Sequence, residues 1–215
     1  MTGETETGGE EIRFQPTAWT VVREAKDGSR DAMDRLITLY WKPVYFYIRR
    51  RGHDVEGAKD LTQGYFATAL EKDFLKGVSA EKGRFRSYVL AALSHFLSNE
   101  YDRAKAKKRG GEFNFVQAEA ELASAEPTPE QAFRSKWAME ILGRAMARLR
   151  TETSTEDLAL LTGGGRADLT VTDRKNRLHR LRVRLRECLR EEILPSVDRA
   201  DEVESEIREL FASLG

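Results

Sequence analysis

The sequence predicts an all-α protein, two small helical domains joined by a linker. Apolar residues recur at three- and four-residue spacing almost throughout, strand signals are nearly absent, and only five of 215 residues are proline. At this length, 40% apolar content builds a modest core, which suits two small bodies better than one large one. Shifts in composition set the boundaries: a tail over 1–16, a first body over 17–111, a linker over 112–130, a second body over 131–195 and a C-terminal helical tail over 196–215.

The opening MTGETETGGEE is acidic and glycine-rich, without a basic n-region or an apolar h-region. It reads as a disordered tail, not a signal peptide. Ser29 then caps a helix whose residues Met33, Leu36, Tyr40, Val44 and Tyr47 share one face, with Pro43 forcing a kink or a short break. The helix stops at RRRG, where Gly52 suits a C-terminus. Asp54 caps the next, VEGAKDLTQGYFATALEKDF, which turns Ala58, Leu61, Tyr65, Phe66 and Ala69 inward and Glu56, Asp60, Gln63 and Glu71 outward. That acidic, amide-bearing stripe suits a basic partner surface. A third helix, about 84–108, buries Phe85, Val89, Ala92, Leu93, Phe96 and Leu97. Its entry, GRFRSY, sets Arg84 and Arg86 beside Phe85 and Tyr88; Phe85 reads as core and Tyr88 as a candidate platform for an unstacked base. In the second body, Leu178, Leu181, Leu185, Cys188 and Leu189 form one apolar stripe, and Thr170 with Asp173 starts that helix near Val171.

Net charge is zero, 36 basic residues against 36 acidic, yet the signs are segregated. Arg103, Lys105, Lys107, Lys108 and Arg109 form a basic run, and 112–130 holds five glutamates and no base. A second basic block, DRKNRLHRLRVRLRE, spans 173–187 and is followed by an acidic stretch from Glu191 to Glu209. Two basic runs on amphipathic helices, with acidic spacers between, point to two anion-binding faces. Arg174, Lys175, Arg177 and Arg180 lie on the exposed first turns of the later helix, the part a helix-turn-helix presents to phosphates and base edges.

Other classes are set aside on chemistry. The longest apolar stretch, YVLAALSHFL, is about half a membrane span, so a soluble, cytoplasmic protein with no membrane partner is expected. The single Cys188 forms no internal disulfide and reads as core. His53, His95 and His179 are scattered without a metal-ligand pattern, and no nucleophile motif accompanies a base. No enzyme, metal site or cofactor is expected. The triple glycine 163–165 is not a phosphate loop, because no Gly-Lys-Ser/Thr follows it.

LYWKPVYFYIRRRGHDVEGAKDLTQGYFATALEKDF, followed by GRFRSYVLAALSHFLSNEYDRAKAKKRGG, resembles the region-two domain of extracytoplasmic-function sigma factors of the sigma-70 family, the small promoter-recognition subunits of bacterial RNA polymerase. It looks most like the subgroup common in planctomycetes and acidobacteria, which carries LTQ.YF and GRFRS.L at this spacing. The resemblance implies that Asp60, Leu61, Gln63 and Phe66 dock on the polymerase core. It implies that Arg84, Arg86, Tyr88, Asn99, Arg103 and Lys107 face the melted minus-ten strand. NRLHRLRVRLRE resembles the recognition-helix end of region four in the same family, which assigns Arg174, Lys175, Arg177 and Arg180 to the minus-thirty-five element. The implied partners are RNA polymerase core and promoter DNA, with an anti-sigma or other regulatory protein as a further candidate.

Two departures accompany the resemblance. Gly64 stands where the family usually has glutamate, and a helical glycine costs about 1 kcal/mol against alanine. Ahead of the recognition helix the family carries a full scaffold helix; here LTGGGRADLTVT leaves RADL to make about one turn, so that helix reads as shortened or lost. The departures define an alternative: a divergent sigma-like regulator that binds polymerase or another protein without directing initiation. The tail positions Val203, Ile207, Leu210 and Phe211 keep helical spacing, which suits packing on region four or binding a regulator; packing within the chain is the favoured expectation.

Overall fold

The computed structural model of the chain describes residues 19–71, 74–75, 78, 84–107, 126–164, 167–194, 197 and 200–214, without the side chains of 71, 107, 200 and 201. The expected tail over 1–16, linker residues 112–125, and Lys108 and Arg109 lie outside the described residues. Among the described residues there are eight α-helices, one short 3-10 helix and no strand, the all-α architecture expected.

Helix α1, Thr20–Lys26, turns at Gly28 into α2, Arg30–Arg50. Ser29 caps α2, its Oγ accepting from the Ala32 amide at 3.3 Å. Of the kink or short break expected at Pro43, the break does not occur: α2 runs on through Pro43, whose ring is buried. Proline inside a helix costs about 3 kcal/mol. Leu36, Leu39, Tyr40, Val44, Tyr47 and Ile48 are buried on the same helix, and each large apolar side chain returns roughly 1.5 to 3 kcal/mol, so burial wins.

Helix α3, Val55–Glu71, starts where Asp54 Oδ1 accepts from the Gly57 amide at 2.7 Å. Helix α4, Phe85–Lys107, buries Phe85, Val89 and Leu93 fully and Ala92, Phe96 and Leu97 partly. Gly64 lies inside α3 facing α4: a Cβ there would stand 3.4 Å from Phe96 Cζ. Phe96 is only half-buried and can yield a few tenths of an ångström. Gly64→Ala is therefore expected to stabilise the fold by up to about 1 kcal/mol through helix propensity, read as a raised urea midpoint.

Helix α5, Pro129–Glu152, opens with a capping box: Thr128 Oγ1 accepts from the Gln131 amide at 3.2 Å, and the Thr128 amide donates to Gln131 Oε1 at 2.8 Å. It packs along α2 and joins the two halves of the sequence. Tyr40 of α2 sits between Phe85 of α4 and Phe133 of α5, with ring centroids 5.5 and 6.2 Å away. Lys42 pairs with Glu140 at 2.6 Å, and the Tyr47 hydroxyl donates to Glu130 at 3.2 Å. One hydrophobic cluster consequently runs from Trp19 through Trp137 to Leu210.

Ser154 caps a short α6, Thr155–Leu158, which continues as a 3-10 helix, Ala159–Thr162. Gly163 ends it at φ +84°, in the left-handed region that glycine occupies without strain. Helix α7, Val171–Ile193, is capped by Thr170, whose Oγ1 accepts from the Asp173 amide at 3.1 Å, as expected. Helix α8, Ala200–Ala212, closes the chain, with Val203, Ile207 and Leu210 buried. Phe211, expected on that stripe, is 51% exposed, and Glu206 takes an inner place at 1%.

Candidate nucleic-acid interface

Three surfaces carry the residues singled out in the sequence. On α3, Asp60 and Gln63 are exposed and Leu61 is half-buried, but Phe66 faces the core, stacked on Trp41 with centroids 5.6 Å apart. The helical period puts 66 and 69 on the inner side, so Phe66 cannot share an outer face with Asp60 and Gln63. Exposed Val55 and Leu70, on the same helix, extend that outer face with apolar surface.

On α4 the six candidates divide between its two ends. Asn99 and Arg103 are exposed on the later turns; Asn99 Nδ2 lies 3.1 Å from His95 Nδ1, and Arg103 pairs with Glu100 at 2.6 Å. Lys107 belongs to the last turn, its side chain outside the described atoms. The first turn is engaged within the protein. The Tyr88 hydroxyl donates to the Phe74 carbonyl, its ring packs on Phe74 and Phe85, and burial pushes its pKa up. Arg84 Nε lies 2.7 Å from Glu206 Oε1, and both Arg84 and Arg86 pair with Glu209. The Arg86 guanidinium also covers the Trp137 ring, 4.9 Å from its centroid. Seventeen residues separate Arg86 from Arg103, about 25 Å along a helix, so the structure does not bring the two groups into one patch.

Electrostatics at the first turn are governed by enclosure. Burial raises the Glu206 carboxyl above its ordinary pKa despite the two arginines. At Glu209 burial pulls upward, but hydrogen bonds from Arg84 and then Arg86 outweigh it and hold the carboxyl below the ordinary range.

On α7 the basic block has two uses. Arg184 forms a bidentate pair with Glu152 at 2.7 and 2.8 Å, and Arg186 and Arg190 clasp Glu204 of α8. Those hydrogen bonds, Arg186 first, hold the Glu204 carboxyl below its ordinary pKa. Arg177 Nε reaches Asp157 Oδ2 of α6 at 3.2 Å, and Arg174 Nη2 donates to the Gly163 carbonyl at 2.8 Å. Lys175, Arg180 and Arg182 remain exposed with no ion pair to any described residue, and Asn176 and His179 lie on the same outward face. Lys175 and Arg180, expected there from the sequence, are joined on the exposed side by Asn176, His179 and Arg182, and the spacing of 175, 179 and 182 marks one helical face. The scaffold also differs from expectation. The described part of RADL, 167–169, is turn and bend rather than helix, and the helical support for α7 lies before the glycines, at 155–162, with Leu160 buried.

A short helical segment, a glycine turn and a helix with exposed cations form a helix-turn-helix-like unit able to meet duplex phosphates. RNA polymerase sigma factor YlaC of Bacillus subtilis (strain 168) is 25% identical to this chain over 174 residues, 73% of this chain and 91% of that protein. The chain is similar over most of its length to a sigma factor. That likeness supports the sigma-70 and extracytoplasmic-function resemblance carried by LTQGYF and GRFRSY. No protein-family model and no solved structure matches the chain. Among the described residues, no helix is long and apolar enough to cross a membrane.

Proposed function

We propose that this chain is an RNA polymerase sigma factor of the extracytoplasmic-function type, in the planctomycete and acidobacterial subgroup, acting without catalysis. The observation that carries the reading is the similarity to a sigma factor across 73% of the chain, coinciding with exposed cations on α7 and the polar outer face of α3. In this reading 17–111 engages core polymerase and the minus-ten element, and 131–195 engages the minus-thirty-five element. Asp60 and Gln63 meet the core with Leu61 at their edge; Asn99, Arg103 and Lys107 face DNA, and Lys175 and Arg180 grip the duplex. The alternative, a regulator that binds polymerase without starting transcription, is favoured by one observation: α8 occupies Arg84 and Arg86.

Transcription in vitro tests the proposal, with the protein, its host's core polymerase and fragmented genomic DNA. New RNA starts sharing upstream elements are the expected result; core binding without new starts would leave the regulator. Asp60→Arg is expected to weaken core binding by about tenfold or more, since like charges juxtaposed at an interface cost several kcal/mol. Asp60 is exposed, so the melting temperature should hold. Unchanged core binding would remove α3 from the docking surface.

A further inference from the structure

Arg84 and Arg86 enter α4 at its start and meet carboxylates brought by α8 from the far end of the sequence. Glu206 is 1% exposed and Arg86 7%. Glu209 bridges both guanidiniums from the solvent side, its side chain 45% exposed, and Arg84 Nη2 also donates to Ser205 Oγ at 2.9 Å.

Two features separate this cluster from an ordinary packing device. Its innermost contact is incomplete: Arg86 Nε and Glu206 Oε2 stand 3.1 Å apart as an ion pair, yet both are buried without an aligned hydrogen bond. A buried charge cluster with unsatisfied atoms returns little of its desolvation cost, so stability alone is a weak reason for it. The cluster also opens onto water. It walls a cleft of about 1210 Å³ between α2, α4, α5 and α8, lined further by Arg50, Arg134 and Lys136. Lys136 Nζ sits 4.2 Å from the centroid of the Phe46 ring, which lines the same cleft. Among its described lining residues the carboxylates are Glu126, paired with Arg50, and Glu209, paired with the two innermost arginines. Cations from three helices beside an aromatic ring have the composition of a single-strand channel.

We propose that this cleft is a groove for the phosphate backbone of a single-stranded nucleic acid, and that Glu206 and Glu209 of α8 occupy its innermost arginines as an in-chain competitor. The proposal rests on the nucleic-acid reading above and adds a site that spans both halves of the chain. Carboxylate and phosphate oxygens present the same anionic acceptors to a guanidinium fork, so one replaces the other without rebuilding the site. Glu209, half-exposed, leaves first; Glu206 follows only if α8 shifts.

Fluorescence anisotropy of a short labelled oligothymidylate, titrated with the full-length protein at low salt, tests this. Glu209→Gln keeps the side chain's shape and is expected to tighten binding by about three- to tenfold, the scale of one released charge-assisted contact. Glu24→Gln, an equal charge change on the exposed face of α1, is expected to leave it unchanged. Adding Arg84→Ala to Glu209→Gln should cancel the gain. In the wild-type protein, oligothymidylate should speed hydrogen exchange of α8 amides near 206–209, a readout independent of how any variant folds. Equal binding by both glutamine variants, or unchanged α8 exchange, overturns the competitor while duplex binding through α7 stands. Absence of both single-strand and duplex binding overturns this inference and the nucleic-acid reading together.

Discussion

Trp137→Ala is expected to destabilise the protein by about 3 to 5 kcal/mol and to lower the melting of both halves in a single transition. Trp137 is 1% exposed on α5, inside the cluster that α2, α4, α5, α7 and α8 share. Its removal leaves a cavity and strips the buried Arg86 guanidinium of the ring it covers at 4.9 Å. For a chain of this length each kcal/mol moves the midpoint by about 2 to 4 °C, so a drop of roughly 6 to 20 °C should appear in calorimetry. Folded proteins hold only about 5 to 15 kcal/mol in reserve, which makes this roughly a fifth of the total or more. Met139→Ala is the control: on the same helix but 48% exposed, it should change stability by less than about 0.5 kcal/mol. Two separated transitions in the Trp137 variant would show that the seam between α2 and α5 does not couple the halves.

Locally determined features were legible in the sequence, and distant pairings were not. Ser29, Asp54 and Thr170 cap helices as expected, because a cap needs only an oxygen three residues before an orphan amide. The unbroken path through Pro43 was hidden, since the proline penalty is local and the burial that outweighs it comes chiefly from α5. The scaffold before α7 was sought after the glycines, yet Ser154 and Asp157 mark a cap at 154 that the spacing S-x-x-D already announces. Arg84 and Arg86 read as exposed cations because Glu206 lies 120 residues away from Arg86, beyond any periodic pattern. One signal did exist: Glu206 falls on the stripe of Val203, Ile207 and Leu210, and a carboxylate on an apolar stripe calls for a buried partner.

The largest functional effect is expected from replacing Lys175, Arg180 and Arg182 together with alanine. Duplex DNA affinity should fall at least tenfold, and the slope of log affinity against log salt should flatten by up to about 0.9 per lost phosphate contact, near three in all. All three are exposed on α7 and form no ion pair with any described residue, so their removal breaks no described ion pair and the melting temperature should hold. Arg174 and Arg177 sit in the same basic block but do different work. Arg177 pairs with Asp157 of α6, and Arg174 ties down the carbonyls of Gly163 and Gly164. Their alanine variants should loosen α6 against α7 and lower stability while leaving most of the salt slope in place. The two results together decide how the charge of 173–187 is divided. A flattened slope with the triple variant assigns the outward face of α7 to phosphate contact; a flattened slope only with Arg174 and Arg177 would move that contact to the turn around Gly163 and give the outward cations no part in DNA binding.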